Sequence, residues 1–143
     1  MTAHLLFWHE PDVRYERSYS WIHKHCGAYG LVPLVIDPTR TWATARPDLP
    51  QLIYHSLADV LADPRFVRCE FVWLDAGGTP LHEFDHPVDN VVYCVGSDAD
   101  GFGNASFAGS RVQVLDTEAE LYAAFVIPIL CYDRWLYLQG RRT

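Results

Sequence analysis

The stretch Val91–Ser106, VVYCVGSDADGFGNAS, passes from an apolar run straight into a loop rich in both glycine and aspartate. Val91–Val95 reads as a strand, and the change of character at Gly96 marks its carboxyl end. In open α/β sheets ligands sit beyond the carboxyl ends of strands, so what this loop can hold bears on both fold and function. Asp98 and Asp100 fit the first and third positions of a calcium loop and Gly103 the sixth. Phe102 and Gly109 then fall at the fifth and twelfth, where oxygen ligands are needed. A phosphate cradle fails differently, because two carboxylates and no lysine would face the anion. What remains is a flat, neutral ligand approached by bare backbone over Gly96, Ser97, Asp98, Ala99, Asp100 and Gly101.

The surrounding chain supplies the sheet. His4–Trp8 is a short apolar strand. Tyr15, Tyr19, Ile22, Cys26 and Tyr29 recur at helical spacing, and Gly30 ends that helix. Leu31–Ile36 is a second strand, although Pro33 inside it suits an edge or a strand start better. Asp37–Pro50 carries three prolines and no periodicity, so a long loop is expected. Its Trp42, Arg40 and Arg46 are suited to stacking on bases and contacting phosphate. Ser56 caps a short helix through Leu61. Cys69–Leu74 is a strand ending at Ala76-Gly77-Gly78, and Arg111–Leu115 is another. Thr117 and Glu120 form a capping box that opens a helix toward Leu138, kinked at Pro128. Strands alternating with helices predict an α/β fold: one domain over 1–143, built on a mostly parallel sheet with helices on both faces.

At 143 residues, half apolar and one fifth charged, the chain fits a single globular domain. Its net charge of −7 argues against a broad basic surface, while basic residues gather near the two ends. The first residues lack a signal-peptide pattern and no apolar run is long enough to span a bilayer, so a cytoplasmic protein without a membrane segment is expected. Cys26, Cys69, Cys94 and Cys131 form no C-x-x-C pair and read as buried thiols. His82-Glu83-Phe84-Asp85-His86 matches H-E-x-x-H literally, but Pro80 and Pro87 bracket it and no third ligand is evident, so a polar turn is expected rather than zinc. His23 and Cys26 share a helix side that His25 leaves, which makes no metal site.

In this order and spacing the chain resembles the SpoU/TrmH branch of the trefoil-knot RNA methyltransferases, and within it the small tRNA-wobble ribose methyltransferases. The resemblance is carried by Glu10-Pro11 after the first strand, by the helix ending Gly27-Ala28-Tyr29-Gly30, and by Ile36-Asp37-Pro38. It continues through Val92–Gly101, similar to the family's strand plus G-x-E-x-x-G with Asp98 in place of glutamate. Tyr132-Asp133-Arg134-Trp135 is similar to its closing tyrosine-acid-x-tryptophan segment. The resemblance implies a deep C-terminal knot that holds S-adenosylmethionine. The cofactor contacts it implies are Leu74, Asp75 and Ala76, then Val95, Gly96, Ser97, Asp98 and Gly101, then Val114 and Leu115, with Glu120 and Tyr122 at the start of the last helix. It also implies an RNA substrate, a tRNA within this branch, and a homodimer in which Trp21, Trp135 and Tyr137 offer aromatic surface.

The implied reaction moves a methyl group from a sulfonium to a ribose 2′-hydroxyl, which requires in-line positioning and removal of the hydroxyl proton. Lys24 falls where the family has its catalytic arginine, and Ser18 where it has an asparagine. Glu120-Leu121-Tyr122 stands in place of a Ser-x-Asn type segment. Lys24 is the expected base, provided that burial lowers its pKa, and Arg17 the expected anchor for the target phosphate. A knotted protein that binds cofactor or RNA without methylating is the alternative, because three polar positions have changed together.

Overall fold

The structure, a computed structural model, describes residues 2–9, 26–40, 52–97, 102, 109–114 and 123–142. Its strands are β1 (Ala3–Trp8), β2 (Leu31–Ile36), β3 (Ile53–Tyr54), β4 (Glu70–Pro80), β5 (Val91–Val95) and β6 (Ser110–Gln113), and its described helices are α1 (Leu57–Ala62) and α2 (Ala123–Leu138). The strands form one sheet in the order β3-β2-β1-β5-β4-β6, and every pairing is parallel. All carboxyl ends therefore lie at one edge, and strand order reverses between β1 and β5, the arrangement in which α/β proteins place their ligand sites.

Alternation along the strands builds two cores. Leu5, Phe7, Val35, Val91, Tyr93 and Val95 pack with Val126, Ile127, Leu130 and Cys131 of α2. Leu6, Leu34, Ile36, Val92, Cys94 and Trp73 pack with Val60 of α1 and with Phe66. A period of two on strands buried on both faces fixes the register, since a one-residue slip would exchange the two sets. The expectation of a parallel sheet with helices on both faces holds, with six strands rather than five.

Pro33 sits inside β2 without breaking it. The N–H groups of Val35 and Asp37 donate to Leu52 and Tyr54 on the β3 side, so the missing N–H of Pro33 falls on that same side. β3 begins pairing only at Val35. No ladder bond is lost there. Gly30, at φ +72, ends the turn Cys26–Tyr29, and Ser56 caps α1 by accepting from the Asp59 N–H at 3.3 Å. Pro128 lies inside α2. The body of the expected first helix, most of the 37–50 loop and the Thr117/Glu120 capping box lie outside the described residues.

β4 departs most from expectation. It does not end at Ala76-Gly77-Gly78 but runs eleven residues to Pro80. Val72–Leu74 pairs with Ser110–Val112, and Thr79–Pro80 pairs with Val112–Gln113, so Val112 faces both Leu74 and Thr79. Asp75–Gly78 is an excursion between two engagements with the same neighbour. Gly78 lies so close to β6 that an added Cβ would be 2.5 Å from the Arg111 carbonyl carbon, which is why only glycine fits. β6 starts one residue earlier than expected and stops two earlier, at Gln113.

Candidate functional site

The carboxyl edge of β6-β4-β5 assembles the described part of the expected cofactor site. Leu74 is in register with Val95 on one side and Val112 on the other. Val95 and Val112 are buried, and Leu74 and Val114 pack against the same core. Three of the expected residues, Leu74, Val95 and Val114, thus share one apolar cluster although up to 40 positions separate them in sequence. Gly96 and Ser97 continue from Val95, half-buried. Asp75 Oδ1 accepts from the Ala76 N–H at 3.0 Å, and Asp75 Oδ2 lies 3.5 Å from Arg111 Nη2. Gly77 N–H donates to Gln113 Oε1 at 2.8 Å.

Phe102, inside the glycine-rich loop, was not foreseen as part of this arrangement. It meets Trp73 edge-on at 5.2 Å and Trp8 at 6.0 Å, so Phe102 packs on the sheet face that carries α1. The available sequence signal is a single aromatic side chain between Gly101 and Gly103. Arg17, Ser18 and Lys24, and likewise Asp98, Gly101, Leu115, Glu120 and Tyr122, lie outside the described residues. Edge chemistry among the described residues fits an adenosyl group. Apolar strand ends offer a wall to a purine, the rim at Ala76, Gly77, Gly96 and Ser97 is main chain, and the Asp75 carboxylate near Arg111 keeps the rim from being purely cationic.

No family model and no curated protein sequence matches the chain. Solved structures do. A protein studied for the 2-OH methylation of C/U34 on tRNA superposes with a TM-score of 0.70 over 98% of both chains at 16% identity. The SpoU methyltransferase AviRb from Streptomyces viridochromogenes gives 0.69 at 18% identity, over 99% of this chain and 62% of its own. The A. aeolicus TrmH/SpoU tRNA modifying enzyme gives 0.69 at 14%, over 98% and 76%. The chain has the SpoU/TrmH fold.

Within this SpoU/TrmH fold the H-E-x-x-H match is a structural turn. Leu81–Glu83 forms one 3₁₀ turn and Phe84 is already extended, so no helix brings the two rings together. His82 is 71% exposed, whereas the His86 side chain is fully buried. His86 Nε2 lies 2.7 Å from Asp133 Oδ2, and Nδ1 lies 2.8 Å from the Tyr93 hydroxyl. An ionised carboxylate can only accept, so Nε2 carries the proton and the Tyr93 hydroxyl donates to Nδ1. Burial pushes the His86 pKa below its ordinary value; Asp133 opposes that, and Arg142 and Arg134 reinforce it. Both nitrogens are engaged, which leaves none for a metal.

The same cluster shows what the closing Tyr-Asp-Arg-Trp segment does. Arg142 Nη1 donates to Asp133 Oδ2 at 3.0 Å and to the Leu81 carbonyl at 2.9 Å, and Nη2 donates to the Phe84 carbonyl. Arg134 donates to the Val88 carbonyl at 2.9 Å and the Tyr29 carbonyl at 3.4 Å. These bonds tie α2 to the β4–β5 connection. Elsewhere, burial pushes the Cys26 thiol up to about 12, with Cys131 adding to the effect, and burial pushes Cys131 up to about 12 as well. Neither is a nucleophile at neutral pH. Among the described residues no three His, Cys, Asp or Glu side chains group around a possible ion, and no described helix is long and apolar enough to cross a membrane.

Proposed function

We propose that the chain is an S-adenosylmethionine-dependent RNA ribose 2′-O-methyltransferase of the SpoU/TrmH type, acting on tRNA as a cytoplasmic homodimer. The observation that carries this reading is the meeting of Leu74, Val95 and Val114 at the carboxyl edge of three parallel strands. Those are the positions the resemblance assigns to the cofactor. The likeness over 98% of both chains to a protein studied for tRNA 2-OH methylation supports the same substrate class.

Bound at that edge, S-adenosylmethionine would supply an electrophilic methyl group. Main chain at Ala76, Gly96 and Ser97, together with Asp98 and Gly101, would hold the adenosyl moiety, as would Leu115, Glu120 and Tyr122. Lys24, as a neutral amine, would take the proton of the ribose 2′-hydroxyl. Arg17 would hold the target phosphate, and Ser18 would orient the reacting ribose by hydrogen bonding. The likeness to SpoU/TrmH structures supports a chain threaded as a trefoil knot.

Support for a dimer comes from α2. Phe125, Ile129 and Tyr132 are 47%, 40% and 56% exposed along one helical stripe, and Trp135 stacks on Tyr132 at 6.1 Å. Tyr137 turns elsewhere: its ring lies 5.3 Å from His86, so the aromatic surface for a partner is Phe125, Tyr132 and Trp135.

The test compares wild type with Lys24→Ala, by calorimetric titration with S-adenosylmethionine and by transfer of a labelled methyl group to total tRNA. Cofactor affinity retained with transfer lost in the variant supports the enzyme. Cofactor binding with no transfer by either protein supports the alternative, a knotted binding protein. No cofactor binding by folded wild type would end both.

A further inference from the structure

Arg111 and Gln113 stand two apart on β6 and so present their side chains to one face of the sheet. Arg111 reaches toward Asp75 at 3.5 Å, and Gln113 Oε1 accepts from the Gly77 N–H at 2.8 Å. The excursion Asp75–Gly78 is therefore engaged along its length: Asp75 by a side chain of β6, Gly77 by a second, and Gly78 by the main chain of Arg111 and Val112. The contacts are unequal. An ion pair at 3.5 Å between side chains 52% and 37% exposed contributes little. A bond to a main-chain N–H, by contrast, fixes the path of the backbone itself, at a residue held at φ +82.

We infer that Gln113 is a positioning residue for the adenosyl-binding edge. By accepting from the Gly77 N–H it holds the Asp75–Gly78 excursion beside Leu74 and Val95, in the shape that receives the cofactor. This rests on the proposed reading of that edge. Affinity gained this way is preorganisation: the excursion is ordered before the ligand arrives, so binding does not have to order it. The side chain needs an acceptor at the reach of glutamine, a condition that Glu meets and that Leu, of similar size, does not.

Two measurements on the full chain test it. The first is amide hydrogen exchange at Gly77 in the free protein; the second is the calorimetric affinity for S-adenosylmethionine. Gln113→Leu is expected to speed Gly77 exchange about five-fold and to weaken cofactor binding about five-fold, the worth of one neutral hydrogen bond. Its melting temperature should fall by no more than about 3 °C, the shift that the loss of one such bond gives in a chain of this size. Gln113→Glu is expected to restore both exchange protection and affinity, which a merely structural role would not require. Unchanged Gly77 exchange in the Leu variant overturns the bond. Faster exchange with unchanged affinity overturns the positioning role. A wild type that protects Gly77 yet ignores the cofactor overturns the functional reading of the edge, and the positioning role with it, while leaving the bond intact.

Discussion

Replacing Gly78 with alanine probes the crossing on which the β4–β6 edge depends. The new Cβ would stand 2.5 Å from the Arg111 carbonyl carbon and 2.6 Å from both the Arg111 oxygen and the Val112 nitrogen, where ordinary contact begins at 3.4 Å. All three atoms are backbone, so no side chain can rotate aside, and the strands must part by about 0.9 Å, the shortfall against that contact distance. A hydrogen bond stretched by that much from about 2.9 Å no longer counts as one. Overpacking of this kind costs about 1–3 kcal/mol, and weakening the Thr79–Val112 and Pro80–Gln113 engagement adds about 1 kcal/mol. The expected loss is about 2–4 kcal/mol. With an unfolding entropy near 0.3 kcal/mol/K for a chain of this size, the melting temperature should fall by roughly 7–13 °C. Thermal denaturation followed by circular dichroism measures it, with Gly27→Ala as the reference, because nothing lies within 4 Å of a Cβ there. A Gly78→Ala protein melting within about 2 °C of wild type would refute the claim that β4 and β6 are in closed backbone contact.

Other consequences can be checked as directly. His86 has its folded pKa depressed by burial, so the unfolded chain binds its proton more readily. The stability it supports is complete above its unfolded value near 6.5 and declines as pH falls toward the lower folded value, by at most about 1.4 kcal/mol per pH unit for one group. Urea denaturation between pH 7.5 and 5 should show this slope in wild type and a flatter one in His86→Gln; equal slopes would exclude the histidine as its source. Arg40 holds φ +59 and is exposed, so Arg40→Gly should gain up to about 1 kcal/mol while weakening tRNA binding in a salt-dependent filter assay. Unchanged RNA affinity would make the arginine irrelevant to the substrate. Phe102→Ala, which removes two edge-on contacts, should cost about 1–3 kcal/mol and lower cofactor affinity; a lowered melting point with affinity intact would limit Phe102 to a packing role.

Much of the architecture was legible because apolar side chains at a period of two or of 3.6 have few stable ways to be buried. Val91–Val95 was readable to the residue, and Leu31–Ile36 likewise, its proline included. β3 was not, since two residues carry no period and exist as a strand only because Val35 and Ile36 are beside them. The reach of β4 past Ala76-Gly77-Gly78 was hidden for a related reason. Turn-forming glycines look the same whether a strand stops or makes an excursion, and only the second engagement with β6 distinguishes the two. His86 shows the reverse error that a motif invites: H-E-x-x-H names residue types, while the partners that commit both ring nitrogens, Tyr93 and Asp133, lie 7 and 47 positions away.

By itself, then, the sequence determined an α/β chain with parallel strands and a glycine-rich loop at the end of β5, because local pattern and burial are readable along one dimension. Tertiary structure alone decided that Leu74, Val95 and Val114 share one wall, that Gln113 reaches Gly77, and that Gly78 is the residue through which β4 and β6 come into contact. Each of those is a relation between distant parts of the chain. It is set by which backbones can approach within a few ångströms, and no local pattern encodes that distance.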